Sequence, residues 1–329
     1  MKCPVCGNIN TPMVCPKCGF DSAKDYGRYP TLGSVGRIPA AAAKAMKCDC
    51  HIHMVLDGAD WRGAIDRHRN GSDRELIYAR LQEYAAAGFG YLRDGGDKWG
   101  VGAAAREEAG KWGITYRTPL APLVCAGHYG GFIGERYQNL REYGILVKMR
   151  REQGADFIKI MISGIMDFDR FGVLSEPGLE PDFIRELIRV AHAEGFAVMA
   201  HANGARTVQA AAEAGADSVE HGAYLDEAAL CAMKENGTIW CPTLSAIGNL
   251  RGRGRFDEKT VSAIYESSAE NLRRFAALGG LIAPGSDAGA WAVPHTSGGL
   301  DEYGHLAYAL GEGYMDTINA GADALRTRF

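Results

Sequence analysis

The sequence lacks the features that would place it in a membrane or on a nucleic acid. It contains no apolar stretch of the roughly 18 residues that a membrane span requires, and its first residues lack the basic-then-apolar pattern of a secretory signal. No long run of Lys or Arg is present either, and 36 basic against 40 acidic residues give a net charge of -4. We therefore expect a cytoplasmic protein that binds neither a membrane nor a nucleic acid.

The composition is that of an ordinary globular protein rather than a disordered or disulfide-linked one. Hydrophobic residues make up 47% of the 329 residues and charged residues 23%, which is enough for one large core and a small additional unit. The chain also has nine cysteines. Because cytosolic thiols stay reduced, clustered cysteines are better explained by a metal than by disulfides.

Four of the cysteines form two CxxC pairs, in the motifs CPVCG and CPKCGF. They are Cys3, Cys6, Cys15 and Cys18. Four thiolates in this arrangement suit one tetrahedral zinc ion, and a closed site of four cysteines leaves no open position for a substrate. We predict a structural zinc ribbon over residues 1–21 and a linker over residues 22–45. Four unrelated free cysteines are the alternative interpretation.

From residue 46 to residue 329, short β-rich runs alternate with longer amphipathic stretches. This alternation predicts an α/β protein built from βα units around a parallel sheet. Eight such units favour a (β/α)8 TIM barrel over a doubly wound sheet, which normally has fewer strands. The predicted strands cover residues 47–53, 89–93, 114–120, 156–162, 197–201, 218–221, 238–242 and 281–286.

Ionisable residues fall at the carboxyl ends of several predicted strands, where barrel enzymes build their sites. Asp49, His51 and His53 alternate with a period of two, which places both imidazoles on one face of the first strand. Lys159 lies within the fourth strand between apolar neighbours, where an unpaired ammonium is costly to bury. The alternative interpretation of Lys159 is that its side chain extends to the barrel rim. Three further residues close later strands, namely His201, His221 and Asp287.

This set of residues resembles the amidohydrolase superfamily, and the resemblance runs from about residue 46 to residue 290. It implies two divalent metals, with zinc expected, and a lysine that takes up carbon dioxide to become a bridging carbamate. His51, His53 and Asp287 would hold one metal, and His201 and His221 the other. Lys159, as the carbamate, and a hydroxide would bridge the two metals. The hydroxide would attack the substrate, and Asp287 would pass its proton to the leaving nitrogen.

Within the superfamily, two loop residues resemble the imidazolonepropionase and Xaa-Pro dipeptidase branch. Tyr224 lies three residues after the sixth-strand His221, and His128 lies in the motif CAGHYGG. With Arg206, they are the predicted ligands of a small-molecule substrate, where they would anchor a carboxylate or polarise the carbonyl. Packing in a loop is the alternative for both loop residues.

The chain also departs from the pattern of the superfamily. Most such enzymes carry a companion β-sandwich, which we expect to be absent or truncated here because only 42 residues follow Asp287. This departure leaves assembly into a homo-oligomer open.

We therefore expect a metal-dependent hydrolase that cleaves the C–N bond of a small amide, peptide or cyclic amide. A lactonase or deaminase on the same scaffold is the alternative within the class, because a metal hydroxide also attacks esters and amidines. A noncatalytic zinc-ribbon interaction protein is the alternative outside it. The complete set of ligands argues against the latter, since unused buried polar groups are costly.

These ligand sets predict about three zinc ions per chain, one in the ribbon and two in the barrel. Replacing Cys3 and Cys6 with Ser should lower the metal content by one ion while turnover survives, because no ribbon residue has a chemical role. Elemental analysis of purified protein measures the content. A wild-type value near one ion, lost on deleting residues 1–20 and not restored by added metal, would contradict the two-metal barrel.

Overall fold

The computed structural model describes residues 47–329. The predicted zinc ribbon, its four cysteines and the predicted linker lie outside these residues. Within the described part, the strands are β1 Lys47–Ile52, β2 Phe89–Asp94, β3 Thr115–Arg117, β4 Leu123–Cys125, β5 Glu135–Tyr137, β6 Ile158–Met161, β7 Val198–Ala202, β8 Ser218–His221 and β9 Ile239–Cys241.

Helices follow most of the strands in the chain. They are α1 Trp61–His68, α2 Arg74–Ala86, α3 Val101–Ala109, α4 Leu140–Glu152, α5 Pro181–Ala193, α6 Ala205–Glu213, α7 Glu227–Glu235, α8 Ser245–Gly248, α9 Glu258–Ala277, α10 Ser297–Leu310 and α11 Tyr314–Arg328. None of these helices is both long and apolar enough to cross a membrane.

Helix α5 shows why these segments fold as they do. Pro181 occupies the first turn, where its missing N–H costs nothing. Ile184, Leu187 and Ile188 then recur at helical spacing and are fully buried. Burying each of them is worth about 1.5–3 kcal/mol relative to leaving it in water, which fixes the face that α5 turns towards the core.

All the strand pairings are parallel and fall in two sheets. One sheet has the order β1-β2-β3, and the other has the order β5-β4-β6-β7-β8-β9. Backbone hydrogen bonds also cross between the sheets, since the Asp156 amide donates to the Thr118 carbonyl at 3.0 Å. The predicted α/β class with a parallel sheet is therefore confirmed.

The last predicted strand, 281–286, pairs on both sides but is not a regular strand. The Trp240 amide of β9 donates to Leu281 at 2.8 Å, and the Cys50 amide of β1 donates to Pro284 at 2.8 Å. Pro284 has no N–H of its own, and the backbone enters the left-handed region at Asp287, with φ of 60°. The ladder is consequently reduced to isolated bridges, including Trp240 with Ile282.

The third predicted strand, 114–120, is shorter than expected, and two strands follow it that the sequence pattern did not predict. Regular pairing stops at Arg117, and Leu120 has φ of 64°. Pro119 and Pro122 cannot donate to a ladder, so the chain bends and resumes as β4 beside β6. The short strand β5 then pairs with the outer side of β4.

Gly285 lies where the segment 281–288 packs closely against β1 and β9. A Cβ there would overlap Cys241 Sγ and lie 2.8 Å from the backbone nitrogen of His51. Gly285→Ala should therefore lower the free energy of unfolding by about 1–3 kcal/mol, as overpacking does. Gly304→Ala at an exposed position of α10, where a Cβ meets nothing within 4 Å, is the control and should cost nothing. Denaturant unfolding measures both, and equal stabilities for the two variants would contradict this packing.

Candidate metal centre

Six residues predicted as metal ligands lie together at the carboxyl ends of the strands. His51 is in β1, Lys159 is in β6, and His53 and Asp287 lie in the turns that follow β1 and the segment 281–286. Two more are His201 in β7 and His221 in β8. Because neighbouring parallel strands end at the same edge of a sheet, residues far apart in the chain meet here.

The donor atoms converge on one point beside His51. Its Nε2 lies 3.4 Å from His53 Nε2, 3.5 Å from Lys159 Nζ and 3.6 Å from Asp287 Oδ1. His53 Nε2 is also 3.5 Å from the same Asp287 oxygen. Lys159 is only 1% exposed, so it does not extend to the rim as its alternative interpretation required.

His201 and His221 form the second half of the cluster, with ring centroids 4.5 Å apart. His201 Nε2 lies 3.2 Å from the Gly164 carbonyl, to which it can only donate, so the lone pair of Nδ1 is left for another partner. His221 Nδ1 lies 2.7 Å from Thr243 Oγ1, which leaves Nε2. Each imidazole thus keeps one nitrogen for a metal, with its ring orientation set by the other.

Burial determines the charges of these groups. It lowers the pKa of His53 and of His201 to about 3 and lowers the pKa of His51 and His221 well below the usual range. The imidazoles are therefore neutral, as metal ligands must be. Desolvation also lowers the pKa of the Lys159 ammonium and raises that of the Asp287 carboxyl.

Left-handed backbone geometry recurs around the cluster. His221 has φ of 67° and Asp287 has φ of 60°, a conformation that costs a non-glycine residue on the order of 1 kcal/mol. Hydrogen bonds hold both residues in place: the Asp287 amide donates to the His51 carbonyl at 2.7 Å, and the Trp240 indole donates to the His221 carbonyl at 2.9 Å. The surrounding fold thus stabilises the strained positions of two predicted ligands.

Glu220 is a functional candidate that the sequence analysis missed. Its Oε2 lies 2.9 Å from Nδ1 of His51, and its Oε1 accepts from Arg93 at 2.8 Å and from Ser218 at 2.6 Å. Glu220 and Arg93 are fully buried. A glutamate one residue before His221 inside a buried strand was the available signal, because such a charge needs a partner.

Another donor group, His51 with Glu220 and Cys241, fits a metal less well than the His51, His53 and Asp287 group. The Arg93 guanidinium lies against Glu220 and already balances its charge, so a further cation would be repelled. By contrast, the imidazole and carboxylate donors around Asp287 are the ligand types that zinc prefers. The residues present therefore fit a divalent metal on the Nε2 side of His51.

The three predicted substrate ligands do not line the cavity at this centre. Arg206 pairs with Glu180 at 2.7 Å on the surface, where its side chain is 73% exposed. His128 lies 3.4 Å from Glu176, and the Tyr224 ring packs against Phe171. A role for the three residues in binding substrate stays a prediction.

A cavity of about 770 Å³ lies over the metal centre. Five of the six predicted metal ligands line it, His53, Lys159, His201, His221 and Asp287. Much of the remaining wall is aromatic or aliphatic, and its volume suits a ligand the size of a dipeptide.

Comparison with known proteins finds similar sequences and structures. A model of the amidohydrolase family matches residues 48–271. Ochratoxinase from Aspergillus niger is 26% identical over 230 residues, which cover 60% of this chain and 47% of ochratoxinase. The chain thus spans about half the length of the curated relatives that it matches.

Solved structures show the same fold. A Xaa-Pro dipeptidase crystallised with methionine in its active site is similar with a TM-score of 0.68 and 23% identity, covering 86% of this chain and 75% of the dipeptidase. The A. niger ochratoxinase structure has a TM-score of 0.69 and 22% identity, covering 85% of this chain and 70% of that chain. At these identities, the likeness shows the fold alone.

The contacts of Glu220 predict two separable effects. Glu220→Gln should leave Arg93 as an uncompensated buried charge and lower the free energy of unfolding by about 3 kcal/mol. It should also lower the zinc affinity of the folded protein about tenfold, because His51 loses its anionic neighbour. Denaturant unfolding and competition with a chelator measure the two effects.

The double variant Arg93→Met/Glu220→Gln separates them. Removing both charges should restore most of the stability but not the zinc affinity. Recovery of both together would show that Glu220 matters only for folding.

Proposed function

The chain belongs to the amidohydrolase family, and on that premise we propose that it is a two-metal hydrolase of C–N bonds in small amides or peptides. The observation that carries the proposal is the convergence of four imidazoles, one lysine and one carboxylate, of which all but His51 line the same cavity. The names of two structural relatives, a Xaa-Pro dipeptidase and an ochratoxinase, agree with it. The architecture that we infer is a closed (β/α)8 barrel. It is supported by the backbone hydrogen bond from Asp156, just before β6, to Thr118, just after β3, and by those that join the segment 281–288 to β1 and β9.

Each ligand is proposed for one of two metals. His51, His53 and Asp287 would hold the first, and His201 and His221 the second, with Lys159 shared between them. When bound, such metals lower the pKa of water towards neutrality and polarise the scissile carbonyl. The neutral imidazoles and the lone pairs left on His201 and His221 support this assignment.

Lys159 has to become an anion to serve this site. A neutral amine has one lone pair and cannot bridge two cations, whereas a carbamate offers two oxygens and a negative charge. Burial lowers the pKa of Lys159, which increases the fraction of neutral amine. That amine attacks carbon dioxide, forms a C–N bond and releases one proton. We infer a carboxylated lysine from this requirement for charge balance.

Asp287 is suited to move the proton during hydrolysis. Burial raises its pKa, so its carboxylate can accept a proton near neutral pH and then release it. The left-handed backbone at Asp287 and the hydrogen bond from its amide to His51 hold the carboxylate beside both histidines. Its part in the reaction would be to carry the water proton to the leaving nitrogen.

We also propose an N-terminal ribbon with a structural zinc, a location in the cytoplasm and a homo-oligomeric state. Lactones and amidines belong in the first substrate panel beside dipeptides, N-acyl amino acids and cyclic amides, because the same centre suits a lactonase or a deaminase. Preferential cleavage of the amides would support the proposal, and turnover of none of these classes would favour a noncatalytic protein.

Lys159 gives the most direct test by mutation. Metal-free protein should regain activity on adding zinc only when bicarbonate is present, and Lys159→Ala should lose the bridge and more than about 99% of turnover. Lys159→Arg should fail as well, since a guanidinium cannot be carboxylated. Short-chain carboxylic acids should partly rescue the alanine variant.

Metal content, circular dichroism and turnover are measured together, with Lys148→Ala at an exposed position of α4 as the control. A Lys159→Ala protein that keeps two metals and near-normal turnover would overturn the carbamate proposal.

A further inference from the structure

The cavity above the metal centre has two aromatic groups in its wall. Trp61 packs on Phe132 with ring centroids 5.3 Å apart, and Phe132 contacts Tyr129 at 6.0 Å. In the other group, Phe256 contacts Phe168 at 5.2 Å and Trp291 at 6.1 Å. All six rings line the cavity. A wall of this kind favours a ligand with a large apolar, preferably aromatic, group.

Arginine side chains stack on the aromatic rings of this wall. Arg255 also lines the cavity, and its guanidinium lies 4.4 Å over the ring centroid of Trp291 and 5.2 Å over that of Phe256. Stacking on an indole holds the guanidinium plane while its N–H edge stays free to donate hydrogen bonds. Arg62 on α1 is stacked in a similar way, 4.4 Å over Trp61.

The loop that carries Arg255 is itself fixed by hydrogen bonds. The Glu258 carboxylate accepts from the backbone nitrogens of Gly252 and Gly254 at 2.9–3.3 Å. The Asp257 amide donates to Asp169 Oδ1 at 2.8 Å, which ties this loop to the one after β6. Arg255 is exposed, but the surface loop that carries it is positioned by these hydrogen bonds.

The acidic side chains around the cavity have hydrogen-bond or ion-pair partners, whereas two arginines there have no carboxylate partner among the residues that the structure describes. Its acidic residues outside the metal centre have partners: Asp167 pairs with Arg170 at 2.5 Å, and Asp169 and Asp60 each accept a backbone N–H. Across residues 47–329, by contrast, no carboxylate lies within 4.0 Å of the guanidinium of Arg255 or Arg62. The N–H groups of Arg255 and Arg62 can therefore donate hydrogen bonds to an anionic ligand in the cavity.

We propose that the cavity binds a substrate in which a large apolar group, preferably aromatic, is joined to a carboxylate, and that Arg255 is the partner of that carboxylate. That this ligand is a substrate rests on the proposed amide hydrolysis. The chemical class of the ligand is inferred independently, from the aromatic walls and from Arg255. The carboxylate has two sources in an amide: the α-carboxylate of a leaving amino acid, or a carboxylate on the acyl half.

Equilibrium binding tests the ligand class without any turnover. The probes are benzylsuccinate, with an aromatic ring and two carboxylates, and 4-phenylbutyrate, which keeps the ring but only one carboxylate. Calorimetry on the zinc-loaded full chain should show about tenfold tighter binding of benzylsuccinate, because one carboxylate meets the metals and the other meets Arg255.

The matched variants are Arg255→Gln and Arg253→Gln, since Arg253 is on the same loop and is exposed like Arg255 but does not line the cavity. Arg255→Gln should abolish the difference between the two probes and leave 4-phenylbutyrate binding unchanged, whereas Arg253→Gln should change neither. Equal binding of both probes to the wild type, or a difference that persists in Arg255→Gln, would overturn the proposal.

Kinetics then identify the source of the carboxylate. N-benzoylglycine carries it on the leaving half and N-benzylsuccinamate on the acyl half. Arg255→Gln should raise KM about tenfold for the substrate whose carboxylate reaches it, with kcat and the KM of the uncharged N-benzoylglycinamide unchanged. A KM that is insensitive to Arg255 for both acids would count against the proposal. If the probes obey the binding prediction but no amide is hydrolysed, the ligand class stands and the proposed hydrolysis fails.

Discussion

The rest of the structure depends on one constraint, which is that six ionisable side chains are packed together in a largely buried site. Burial keeps the imidazoles uncharged, and Lys159 and Asp287 both lie beside Nε2 of His51. Such a cluster is costly unless the fold holds each group and a partner balances the charges. The six side chains come together because the parallel strands end at a common edge. Buried Glu220 and Arg93 add a balanced pair on the opposite nitrogen of His51.

The six residues that the structure brings together could be singled out in advance because each has a local signature in the sequence. The period of two in β1 is enough to place His51 and His53 on one face, and a lysine among apolar strand residues stands out by its cost of burial. The strand β8 was predicted with its observed bounds, 218–221. These inferences need only the geometry of one strand and the rule that strands of a barrel end at one edge.

The remainder depends on contacts between segments that are distant in the chain, which no local pattern encodes. Glu220 becomes interpretable only when Arg93 and His51 are seen on either side of it. The prolines around Leu120 replace a single strand with β3, a bend and β4, and Pro284 interrupts the ladder of the last predicted strand. The cavity wall combines loops after several strands, so Arg255 and Trp291 meet although 36 positions separate them. For the same reason, Tyr224, His128 and Arg206 could not be positioned from their motifs alone.

The central claim is that this cluster holds two metals, and anomalous diffraction at the zinc edge from crystals of the zinc-loaded full chain tests it most directly. The account predicts two peaks in the barrel, one contacting His51, His53 and Asp287 and the other contacting His201 and His221. Density extending from Lys159 Nζ should reach both peaks. A single peak, or two peaks with a bare Lys159 ammonium directed away from them, would contradict the account.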